Sequence, residues 1–208
     1  MRLDAGGSLN FLLKELNRYL RPLGFKRSGQ RFGRQSSEVW QVISVQISRW
    51  SSGPEKRLTI NFGITPNCLI EFHDGNLRRI PLDYTCPINF RIGELVGAHD
   101  LWWDISDEGT AIAAFTAISA VLDAKANLLL NQLCTNQGIL NYYASGKVMG
   151  FEINRDEARL ILLSVTGRYS EARTRRNEYE SKWVPAATSE RANAFLQRLK
   201  SKFPSIAE

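Results

Sequence analysis

The segment Leu58-Thr59-Ile60-Asn61-Phe62-Gly63-Ile64 alternates large apolar residues with polar or small ones without a break. Successive side chains of an extended chain point to opposite faces. A period of two therefore commits Leu58, Ile60, Phe62 and Ile64 to one buried face. A second run behaves alike: Val39, Ile43, Val45 and Ile47 fall on one face, and Trp40, Val42, Ser44, Gln46 and Ser48 on the other. The turn-forming stretch Ser51-Ser52-Gly53-Pro54 between the runs predicts that they pair as antiparallel neighbours. A sheet with one apolar face needs a covering layer, and the rest of the chain has to supply it.

Helical periodicity does so on both sides of the strands. Leu9, Leu12, Leu13, Leu16, Leu20 and Leu23 recur at spacings of three and four, which predicts an amphipathic helix over 9–21. Ser8 is a candidate N-cap, because its hydroxyl can accept from a free first-turn N–H, and Pro22 and Gly24 end the run. Ile70 and Phe72, then Leu77 and Ile80, flank His73-Asp74-Gly75-Asn76, a pattern that predicts another hairpin. A short strand is expected from Leu101 to Ile105. Ser106-Asp107-Glu108 then opens a helix through Ala111, Ile112, Phe115, Ile118, Val121 and Leu122, apolar nearly all round and expected against the sheet. Leu128, Leu129, Leu133, Leu140 and Tyr143 carry the helical pattern to Gly146.

From about Asn154 the sequence predicts a helical hairpin and one more helix. The stretch Leu163 to Ala172 resembles the inter-helix turn of a tetratricopeptide unit. It occurs once, whereas a stable array needs about three units, so it predicts a local helix-turn-helix. The expected fold class is α+β: a leading helix, a mainly antiparallel curved sheet covered by helices, and a helical C-terminal tail. Residues 1–150 form the α+β domain and 151–208 a small extension packed on it.

Composition excludes several function classes. The N-terminal residues lack the apolar run of a signal peptide, and the apolar stretch Ala111–Leu122 is shorter than the roughly 20 residues of a bilayer span. Cysteines at 68, 86 and 134, odd in number and widely spaced, predict reduced thiols and a cytoplasmic protein with no membrane contact. Two histidines, at 73 and 99, make no ligand spacing with these cysteines, so no metal and no cofactor is expected. No Gly-x-Ser-x-Gly elbow, phosphate-binding loop or dinucleotide fingerprint occurs. No catalytic residue is assigned.

Charge and aromatic residues supply the candidate contacts. The net charge is +6, and residues 1–54 hold nine Lys and Arg against three acids. Within that third, Lys26, Arg27, Arg31 and Arg34 interleave with Phe25 and Phe32, the composition of a surface for an anionic partner. Trp102 and Trp103 are neighbours on an expected strand, where both indoles can be buried under helices, or one can fill the core while the other covers the outer face or meets a ligand. The charged run from Arg168 to Lys182 reads as a solvated helix face with Glu171–Arg175 and Glu178–Lys182 pairs.

Two stretches resemble a known family. Leu23-Gly24-Phe25-Lys26-Arg27 through Arg31-Phe32, Gln41-Val42-Ile43 to Gln46 and Thr59 to Ile64 form the first; Arg91-Ile92-Gly93-Glu94-Leu95 followed by Asp100-Leu101-Trp102-Trp103 forms the second. This order resembles the domain of unknown function 4304 family, found largely in bacteria, over about residues 9–130. The resemblance implies a leading helix, a mainly antiparallel sheet and a following helix, and it assigns no catalytic residues.

These readings lead to a non-enzymatic interaction domain that binds and blocks a protein partner, an acidic one by charge, as bacterial immunity or antitoxin proteins do. The residues expected at that contact are Trp102, Trp103, Arg91, Asn61 and Gln46, with Lys26, Arg27, Arg31 and Arg34. The alternative is a nucleic-acid-associated factor using the basic N-terminal surface. A third reading is an enzyme with its site at Arg91, Glu94, Asn61 and Gln46.

Overall fold

The computed structural model describes residues 5–51, 55–98, 100–146, 149, 152–187 and 189–206. Residues 52–54 of the expected turn, His99 and the proposed boundary at 150–151 lie outside them. Helix α1 (Ala5–Leu20) leads into strands β1 (Lys26–Ser28), β2 (Arg31–Gln35), β3 (Val39–Ile47) and β4 (Lys56–Pro66). These are consecutive antiparallel neighbours, and the β3–β4 pairing places Ile43 opposite Phe62 and Val45 opposite Ile60. Beyond β4, strands β5 (Ile88–Arg91) and β6 (Trp103–Ile105) pair with different parts of it, Asn61–Ile64 and Lys56–Leu58. The result is an open antiparallel sheet of six strands.

One sheet face carries Phe32, Ile43, Val45, Leu58, Ile60, Phe62 and Ile64, all buried. Leu12, Leu13, Leu16 and Leu20 of α1 join the same core, as the period of the first helix predicts. Helix α4 (Glu108–Val121) starts at Asp107, whose carboxylate accepts the Thr110 N–H at 2.9 Å. It continues through a π-helical turn (Leu122–Ala126) into α5 (Asn127–Gln132). The continuous 25-residue helix is long and apolar enough to cross a bilayer by composition. Here it packs Ala111, Ala114, Ile118, Leu122, Ala126 and Leu130 into the core. Its opposite side, with Ile112 and Leu128, is exposed, so the helix that looks apolar all round is buried along one stripe. Three polar contacts fix it: Tyr19 Oη donates to Asp123 at 2.5 Å and accepts from Asn127 Nδ2 at 3.0 Å, and Gln41 Nε2 donates to Leu130 O.

After α6 (Asn136–Ala144), the tail forms α7 (Glu152–Val165), α8 (Tyr169–Trp183) and α9 (Ser189–Lys202). Gly167, at φ 73°, makes the α7–α8 turn. The tail packs against α2 (Asn67–Phe72), with Phe72 and Phe195 rings 5.5 Å apart and Asp74 paired to Arg198 and Lys202.

Three expectations are corrected. Ser8 lies buried inside α1, which begins by Ala5, and is not its cap. Ile70 and Phe72 belong to α2 and Leu77–Ile80 forms no strand, so there is no hairpin at 73–76. Pro66 ends β4, and the short apolar run that follows is long enough for a helical turn. The α8 pairs are Arg168–Glu171 and Arg175–Glu178, while Lys182 reaches Asp156 of α7. The polar rows on the outer sheet face are partly covered: Ser44 and Thr59 are buried, and Gln46 and Asn61 are half-buried.

Candidate functional site

Among the described residues the outer face carries no α-helical layer and is crossed by a strap, residues 77–86, that includes one short 3-10 turn at Asp83–Thr85. Trp40 Nε1 donates to Leu77 O at 3.1 Å, and Arg31 donates to Ile80 O at 3.1 Å. Cross-strand register explains why the strap fits there. Gly33, Val42 and Gly63 lie in one row across β2, β3 and β4. A Cβ on Gly33 would stand 2.8 Å from Ile80, and one on Gly63 only 2.7 Å from the Asp83 Cα. The missing side chains open the furrow that the strap fills.

The next row stays open. Arg31 stands opposite Ser44, Ser44 opposite Asn61, and Asn61 opposite Arg91. A polar row thus crosses four strands with an arginine at each end. Beside it Thr59 is closed off, its hydroxyl donating to Leu101 O at 2.8 Å. Between strap and Leu101 runs a trough made of two adjoining cavities, about 800 and 330 Å³, which share Gln46, Asn61, Asp83 and Tyr84. Its floor is hydrogen-bonded sheet, and the Asn61 Nδ2 donates to Gln46 Oε1 at 2.8 Å. That bond orients both amides. Asn61 Oδ1 and Gln46 Nε2 make no hydrogen bond among the described residues, so an acceptor and a donor stand ready side by side.

The second stretch that carries the family resemblance forms one clamp at the end of this trough. The Arg91 N–H donates to Glu94 Oε1 at 2.8 Å at the start of α3 (Ile92–Leu95). The Arg91 guanidinium pairs with Asp100 and lies 5.4 Å from the centre of the Trp102 ring. Gly93 lets the chain close, because a Cβ there would sit 2.7 Å from Ala98 O and 3.1 Å from Leu101 N. The strand begins at Trp103 and not at Leu101, and neither tryptophan is fully buried. Trp103, opposite Leu58, packs against the core, whereas Trp102 goes to Arg91.

The basic cluster does not stay together. Arg31 and Lys26 have outer-face parity, while Arg27 lies opposite core residue Phe32. Arg34 is committed to the helix side: it donates to Gln41 Oε1 at 2.6 and 2.9 Å and to Leu23 O, and its guanidinium lies over the Phe25 ring. The site residues brought together are therefore Arg31, Gln46, Asn61, Arg91 and Trp102. Sequence reasoning missed Tyr84, 63% exposed over the trough, and Trp50, 92% exposed beside β3. Neither lies in a periodic run; a large aromatic between turn residues was the available signal.

Among the described residues no group of three His, Cys, Asp or Glu could hold a metal ion. Burial pushes the Cys68 thiol up to about 11 and raises Cys86 still further, which disfavours the nucleophilic thiolate. No curated protein and no solved structure significantly matches the chain. The model of a domain of unknown function, DUF4304, matches residues 16–132, from within α1 to the end of α5. That span covers more than half of the chain and holds the sheet, the strap and the Arg91 clamp, and the protein belongs to the DUF4304 family.

Proposed function

We propose that the protein is a non-enzymatic interaction domain that binds a partner protein along the outer-face trough and blocks it, in the manner of an immunity or antitoxin protein. The observation that supports this reading is the oriented amide pair. Asn61 Oδ1 and Gln46 Nε2 offer one acceptor and one donor, which is what the N–H and C=O groups of an extended peptide require. Tyr84 at the rim adds an exposed aromatic of the kind that anchors interfaces. Held by the strap and the clamp, this surface loses little conformational freedom on binding.

The test is affinity capture by the full-length protein from its native lysate, with nuclease and at high salt, beside a Gln46→Ala/Asn61→Ala/Tyr84→Ala variant. One stoichiometric protein that survives both treatments and is lost with the variant is the expected result. Recovery that the variant retains places the contact elsewhere. Recovery abolished by nuclease or salt favours the nucleic-acid reading, since counterion release makes such binding steeply salt-dependent. That reading would rest on Lys26 and Arg31 with Arg78 and Arg79, because Arg34 is already engaged.

A further inference from the structure

We propose that the cavity beyond the other side of the strap, which shares Arg31 with the partner trough, binds a small phosphorylated organic molecule of nucleotide size. This cavity, about 1150 Å³, lies between the β1–β3 edge, α2 and the strap. Lys26, Arg31, Arg78 and Arg79 line it, and no Asp or Glu does so among the described residues. The Asp74 carboxylate, in the turn at one wall, is already held by Arg198 and Lys202. Lys26, Arg78 and Arg79 make no ion pair among the described residues.

Four like charges around one concavity repel unless an anion sits among them, and they raise its local concentration. Arg31 is set in place beforehand by its hydrogen bonds to Ile80 O and Pro81 O. Three arginine forks and an ammonium suit a tetrahedral, multiply charged group better than a single carboxylate. Leu69 and Ile70 of α2 supply an apolar wall. A lone phosphate leaves that wall and most of the volume unused, whereas an organic body bearing phosphates covers both. The volume exceeds the usual range of small-molecule pockets, about 300–1,000 Å³, and so leaves room for a nucleotide-sized body.

The experiment is isothermal titration of the full chain at low salt with ATP, ADP, adenosine, inorganic phosphate and a single-stranded oligonucleotide. The expected result is saturable binding of ATP and ADP, none of adenosine, and inorganic phosphate weaker by roughly tenfold or more. Arg78→Ala/Arg79→Ala and, separately, Lys26→Ala should each weaken ATP by roughly tenfold or more, one to two charge-assisted hydrogen bonds. These side chains are exposed, so circular dichroism should report an unchanged fold. No binding of either nucleotide, or binding that both variants leave intact, overturns the proposal. Inorganic phosphate equal to ATP reduces the cavity to an anion site and overturns it too. An oligonucleotide that binds far more tightly and displaces ATP replaces the small molecule with nucleic acid.

Discussion

Gly93 shows how a single residue holds the clamp that bears the family motif. Its Cα hydrogen stands where a methyl group would be 2.7 Å from Ala98 O, and both neighbours are backbone with little room to yield. Gly93→Ala should therefore lower stability by about 1–3 kcal/mol, the cost of forcing extra volume into a packed site, read as a drop in melting temperature. The Arg91–Asp100 pair is half-exposed, and removing it should cost only about 0.5–1 kcal/mol. A second expectation concerns the thiols. Cys86 is buried and its thiol is pushed far above the ordinary range by burial; the Cys68 thiol is raised to about 11 for the same reason. Native protein should alkylate slowly at both positions near neutral pH and rapidly once unfolded, as peptide mapping would show. Fast labelling of native Cys68 would contradict it. Strand parity of single residues was legible in the sequence for β3 and β4. It went unused for β2, where Arg31 and Arg34, three apart, had to face opposite ways once the strand was recognised.

Elements with unbroken period-two patterns were legible because one register alone buries their apolar set. The segment from Ile70 to Ile80 was not, since its few apolar residues, Ile70, Phe72, Leu77 and Ile80, fit strand edges and a helical turn equally well. Its outcome depends on Trp40 and Arg31 capturing the Leu77 and Ile80 carbonyls from a distant strand. The glycine row that makes room for the strap was likewise invisible, because Gly33 and Gly63 become neighbours only through β3. Among the tail helices, one polar cluster is decisive. Glu157 of α7 is buried and accepts from Arg191 of α9 at 2.7 and 3.0 Å and from Tyr179 Oη of α8 at 3.0 Å. Arg191→Ala leaves a buried carboxylate without its cation. Because Arg191 is half-exposed, the loss should be about 2 kcal/mol, below the full cost for an enclosed pair. Chemical denaturation would measure it, and an unchanged midpoint would show that the cluster is not what joins the three helices.

At the scale of the whole molecule the two sheet faces have divided their tasks. One carries the helical layer, and the other carries, among the described residues, a strap, a trough with a polar floor and a cation-lined cavity. Among the described residues no α-helical layer covers that second face, so the proposed partner could reach it without displacing a helix. The clearest test places a photo-crosslinking amino acid at Tyr84 and, as a control, at Ile112 on the exposed side of α4, with irradiation in native lysate. A discrete protein adduct from position 84, absent from position 112, is the predicted result. No adduct from position 84, or the same adduct from both positions, would contradict the trough as the partner-binding surface.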